Sequence, residues 1–188
     1  LNGLRVNDIL LSDNFNDKDI EAYTYPSIDE IQNSKISGIF LGHFFEWDSE
    51  KNFKVSRDNG FISYENQLEG CYFNYEKIDN YQHGIHDYFK FLKYGFGRAA
   101  DQLSYLIRRK KISRLEAIQK VRDYEGKYPN SYMGKPLNDI LNKINMNQKE
   151  FQKTCERFTN KKIFKTDQNG DISYDDEGNL IKINYDNA

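Results

Sequence analysis

The sequence has 188 residues, 38% of them hydrophobic and 15% aromatic, with 14 Tyr and 13 Phe against one Trp. That is enough apolar surface for one core with a small appendage, and it excludes a disordered chain. A formal net charge of -2, with both signs spread along the chain, excludes a global field that would draw in nucleic acid or an anionic membrane.

Cys71 and Cys155 are too few and too far apart for a disulfide framework, which points to reduced, buried thiols. No apolar run approaches the roughly 20 residues of a membrane span, and the first residues lack the charged-then-apolar order of a signal peptide. A cytoplasmic location is the expectation. Residue 1 is Leu, and Leu4 to Phe15 opens inside an apolar pattern with no start signal, so the chain reads as truncated at its front.

Ser27 to Ser34 predicts a short helix, with Ser27 as cap and Glu30 completing a capping box. The apolar run Ile36 to Phe45 follows, punctuated by Gly38 and Gly42. It reads as a strand buried on both faces of a parallel sheet, with its partners upstream of this chain. Ser49 to Arg57 can hold a short helix. From Glu76 to Tyr94, Ile78, Tyr81, Ile85, Tyr88 and Leu92 recur at spacings of 3 and 4, predicting an amphipathic helix with Glu76, His83, Asp87 and Lys90 on its polar side.

Gly95 to Gly97 breaks that helix, and a second runs from Arg98 to about Lys110, burying Ala99, Leu103, Leu106 and Ile107. Ser113 and Glu116 form a capping box for a third, which ends at Gly126. Pro136 opens a fourth carrying Leu137, Ile140, Leu141 and Ile144. Asn147 and Glu150 cap a fifth, with Phe151, Cys155 and Phe158 inward. Asn169-Gly170 and Glu177-Gly178 mark turns between the β-prone pieces Ile172 to Tyr174 and Leu180 to Tyr185, a hairpin or loose tail. The predicted organisation is therefore 1–60 as the end of an α/β domain, 61–160 as a helical domain and 161–188 as the tail.

The residues most suited to chemistry lie between His83 and Arg108. Arg98, Asp101, Tyr105 and Arg108 share one stripe of a helix whose entrance is marked by glycines. Guanidiniums there can grip phosphate or carboxylate oxygens, or the stripe can be a salt-bridged surface. Arg114, at the start of the next helix, needs a partner or snorkels to solvent, and Asp101 is the candidate partner. His83 and His86 have a spacing that can suit a metal, but no second ligand pair matches, so no metal site is assigned. His86, with Asp87 beside it, is also a candidate general base. Trp47 and Asp48 follow the predicted strand, where open parallel sheets bind ligands; an aromatic cluster packing the strand end is the other reading.

Three stretches together resemble the N-acetyl sugar amidotransferase family: Gly38 to Asp48 (GIFLGHFFEWD), Ile85 to Asp101 (IHDYFKFLKYGFGRAAD) and Ser113 to Glu116 (SRLE). The resemblance covers most of the chain and extends to Phe164 to Gly170. It implies the C-terminal part of an ATP-pyrophosphatase-like enzyme acting on pseudaminic acid and related sugars of flagellin or lipopolysaccharide. The implied fold is mainly α here, with a front strand from a parallel α/β sheet.

The implied activity turns an acetamido group into an acetamidino group, using ATP with Mg²⁺ and ammonia from a partner glutaminase. The ATP loop of such enzymes is absent from this sequence, so the segment is expected to be inactive alone. Trp47, Asp48, His86, Asp87, Arg98, Asp101, Arg108 and Arg114 become candidates for binding sugar or phosphate. No nucleic acid or membrane partner is expected, and a homodimer is compatible. A noncatalytic helical module that docks the glutaminase is the alternative.

Overall fold

The computed structural model describes residues 5, 6, 8, 15–176 and 178–183. It is mainly helical, and the chain divides into two compact units, residues 1–48 and 49–188. Most of the Leu4 to Phe15 segment, Glu177 of the second predicted turn and residues 184–188 lie outside the described set.

In the first unit, α1 (Asp17–Ile20) is capped by Asn16 and α2 (Ile28–Asn33) by Ser27, whose hydroxyl accepts from the Glu30 N–H at 3.2 Å. The expected strand over Ile36 to Phe45 is not formed. Residues 36–40 run without regular pairing, Leu41–His43 makes a single 3₁₀ turn, and Ile39, Phe40 and Phe45 are exposed. Hydrophobicity makes a segment strand-prone, but the extended conformation is held by a ladder, and no described strand lies alongside to supply one.

The second unit holds α3 (Ser49–Asp58), α4 (His83–Tyr94), α5 (Arg98–Arg108), α6 (Arg114–Tyr124), the antiparallel pair β1 (Ser131–Tyr132) and β2 (Lys135–Pro136), α7 (Leu137–Asn142) and α8 (Gln148–Phe158). α3 packs through Phe53, which stacks on Tyr75 with ring centroids 4.1 Å apart, and the Ser49 N–H donates to the Tyr105 hydroxyl. Capping boxes at Ser113 and Asn147 start α6 and α8 as their sequences predict.

α4 begins seven residues later than its periodicity suggests. Lys77 takes a positive φ of 61°, and Asn80 accepts from the Gln82 N–H while its amide meets the His83 ring. Short polar side chains here satisfy backbone groups locally and compete with another helical turn. Tyr81, outside the helix, is therefore exposed rather than part of an inner face.

Three apolar clusters join these elements. Tyr88, Phe91 and Leu92 of α4 meet Leu137 and Leu141 of α7, Phe151 and Cys155 of α8, and Phe164. Leu68, Cys71, Tyr132 and Ile140 form a second, and Phe73 packs with Leu103, Leu106 and Ala117 between α5 and α6 as a third. Gln102, buried in α5, ties the last cluster to the preceding loop by accepting from the N–H groups of Tyr72 and Phe73. Ile144 and Phe158, expected inward, are largely and partly exposed, because α7 ends at Asn142 and Phe158 closes α8 edge-on against Phe89.

After α8 the chain forms antiparallel bridges Phe164 to Lys182, Thr166 to Ile172 and Tyr174 to Leu180, so the expected C-terminal hairpin fits. No helix among the described residues is long and apolar enough to cross a membrane.

Candidate functional site

Helices α4 and α5 meet at a glycine-marked corner, and this brings together the charged residues singled out above. Asp87 lies on the buried side of α4 at 6% exposure, not on its polar face. The helix turns it toward α5, where Arg98 donates through Nε and Nη2 to the two carboxylate oxygens, each at 3.3 Å. Arg98 also lies 3.6 Å from Asp101, which pairs with Lys90. Burial alone would weaken the Arg98 charge, but the Asp87 and Asp101 carboxylates outweigh it and hold the guanidinium protonated beyond its ordinary range. His86 is mostly exposed, with Nδ1 3.0 Å from Asp87.

Glu125 completes the corner. The N-cap of α5 is Gly97, which has no side chain to accept from the first N–H groups. Glu125, just past the end of α6, supplies the acceptor: the Ala100 N–H donates to it at 2.6 Å, and that of Gly97 donates as well. Burial pushes this carboxyl above its ordinary range, against the pull of those hydrogen bonds.

Behind the corner is a cavity of about 400 Å³. Its walls are the aromatic side chains of Tyr88, Phe91, Tyr124 and Tyr128, and its charged residues include Glu69 and Lys127 together with Asp87, Arg98 and Glu125. Glu69 is held in place by donation from the Ser131 hydroxyl at 2.7 Å and the Met133 N–H at 3.1 Å. A second, more open hollow shares Phe91, Glu125, Lys127 and Tyr128 and is walled by the C-terminal segment, whose Lys182 sits over the Phe91 ring at 5.1 Å.

A protein-family model described as LPS biosynthesis protein WbpG-like, C-terminal domain, matches residues 69–176, more than half of the chain. The chain belongs to the WbpG-like family. The suspected C-terminal relationship thus stands, and the family places the chain in lipopolysaccharide biosynthesis. No curated protein matches it.

Within the WbpG-like region, Asp87, Arg98 and Asp101 converge, and His86 joins them at the surface. Arg108 is exposed and shares only a shallow hollow with Phe96, Asp101 and Ser104. Arg114 is exposed, and the expected pair with Asp101 is not made, since Asp101 faces Lys90 and Arg98. The reason is the helical hairpin: Arg114 starts α6 beside the far end of α5, roughly 10 Å along the axis from Asp101 at about 1.5 Å per residue.

Trp47, exposed, and Asp48, buried, end the first unit and precede the family-matched region. Among the described residues no group of three or more His, Cys, Asp or Glu side chains is placed to hold a metal; His83 instead pairs with Asp79 at 2.8 Å.

Glu69, Lys90 and Glu125 belong to this site without having been candidates from the sequence. One signal pointed to the last: Gly97 before Arg98 leaves α5 without a capping side chain, so an acceptor had to come from elsewhere.

Proposed function

We propose that this chain is the C-terminal segment of an ATP-dependent amidotransferase that converts the acetamido group of a bacterial surface sugar into an acetamidino group. Membership in a lipopolysaccharide-biosynthesis family supports the pathway. The observation that carries the reading is the cavity beside the Asp87–Arg98 pair, with aromatic walls and a few convergent polar groups. That mixture suits a polyhydroxylated ring: apolar faces pack its C–H side, and charged groups meet its hydroxyls and amide.

The cavity does not fit a magnesium-bound triphosphate. Four carboxylates, Glu69, Asp87, Asp123 and Glu125, face two cations, Arg98 and Lys127, and Arg98 is already engaged by two acidic partners. ATP and Mg²⁺ thus have no site in this cavity, and in this reading they act on another part of the intact enzyme. The residues of this chain bind and orient the sugar. Asp87 and Asp101 hold Arg98 in one geometry at the wall, and Lys127, the other cation of the lining, is the natural donor to an acetamido oxygen or a sugar carboxylate. In this reading ATP gives its AMP group to the amide oxygen and releases pyrophosphate, and ammonia from a partner glutaminase then takes the place of that oxygen, which leaves as part of AMP.

Mass spectrometry of the intact enzyme given acetamido sugar, ATP and ammonia decides the matter. The expected product has the amide oxygen replaced by nitrogen, with AMP and pyrophosphate released in equal amounts. Breakdown of ATP that ignores the sugar and yields no amidine rejects the reading.

A further inference from the structure

The cavity has a chemical preference that a neutral sugar amide does not use. Tyr88, Phe91, Tyr124 and Tyr128 line the cavity, aromatic rings attract cations, and Lys182 already lies over the Phe91 ring at 5.1 Å. Once Asp87 is assigned to Arg98, the remaining charged lining is Glu69, Asp123 and Glu125 against Lys127. Each Glu69 oxygen accepts one hydrogen bond from the protein, and an ionised carboxylate accepts about four in all, so acceptor capacity remains. Glu125 is a buried carboxyl of the same lining, raised above the ordinary range by burial while the Ala100 and Gly97 N–H groups and the Lys182 charge pull it down.

From this combination of aromatic walls and spare carboxylate acceptors, we infer that the cavity binds a compact organic cation bearing N–H donors, of the amidinium class. A planar amidinium offers paired N–H groups to one carboxylate and a delocalised charge to the rings. A volume of about 400 Å³ accommodates such a head with a sugar ring attached. In one respect the inference rests on the proposed function: the acetamidino product is such a cation and the acetamido substrate is not. The site then holds the modified end of the sugar more firmly than the unmodified one.

The test is an NMR titration of the 188-residue chain with acetamidinium chloride and, separately, acetamide at the same ionic strength. Acetamidinium is expected to shift the amides of Gly97, Gly126 and Ser131 saturably, with acetamide about tenfold weaker, the difference expected of a charge-assisted pair. Glu125→Gln keeps an oxygen for the Ala100 N–H and should bring the two probes together. Tyr128→Leu should weaken acetamidinium selectively.

Equal binding of the two probes, a response mapping elsewhere, or no saturable response overturns the inference. So does undiminished selectivity in a folded Glu125→Gln variant. Should that variant not fold, the two-probe comparison on the unmodified chain decides by itself. Amidine formation by the intact enzyme without an acetamidinium site in this chain sinks this inference alone. An acetamidinium site in an enzyme that makes no amidine supports it and sinks only the functional reading.

Discussion

The Asp87–Arg98 pair is the residue-level feature with the most at stake. Asp87 is almost fully buried, and a guanidinium bonds both of its oxygens. Removing one partner leaves the other without compensation, which costs more than the pair contributes. Arg98→Ala is expected to lower stability by about 3 kcal/mol in urea unfolding. Adding Asp87→Ala should recover part of that loss, because the stranded carboxylate is removed. A double variant that is no more stable than Arg98→Ala would show that the pair does not act as a unit. Lys90 and Asp101 extend the network at its exposed side, where solvent screens the charges and less is expected of them.

Among the elements, the approach of α4 to β1 is set by Gly84. A Cβ at this position would lie 2.6 Å from Cδ2 of Tyr132, a side chain that is 1% exposed and cannot move aside. Helix propensity alone says that Gly84→Ala should stabilise by about 1 kcal/mol. Overpacking reverses the sign, and a net loss of about 2 kcal/mol is expected in thermal or urea denaturation. Ser113→Ala is the contrasting case. It removes the cap of α6 at an exposed site and should cost about 1 kcal/mol without disturbing the cavity. The two substitutions separate tertiary fit from local helix chemistry: the first is invisible to any local rule, while the second follows from one.

For the molecule as a whole, Cys71 and Cys155 report on global unfolding, because both thiols are free, buried and pushed up to about 12 by burial. Neither should react with a thiol reagent at pH 8 in the folded chain, and both should react once it is denatured. A thiol whose value is raised in the folded state contributes stability that is complete below the ordinary thiol range. That contribution is lost as pH climbs toward about 12. The urea midpoint should therefore fall between pH 8 and pH 10, and by less in Cys71→Ala.

The sequence by itself determined the local pieces: the six helices of the second unit, the capping boxes at Ser27, Ser113 and Asn147, and the stretch from Ile85 to Asp101 that carries the family likeness. These are legible because caps and helical periodicity act over three or four residues. Only the tertiary structure decided that Asp87 turns inward to Arg98, that Glu125 caps a helix to which it does not belong, and that Glu69 shares their cavity. It also decided that the apolar run Ile36 to Phe45 forms no strand. In each case the deciding partner lies in another element, and hydrogen bonding, charge compensation and strand pairing depend on proximity in space, which spacing along one segment does not encode.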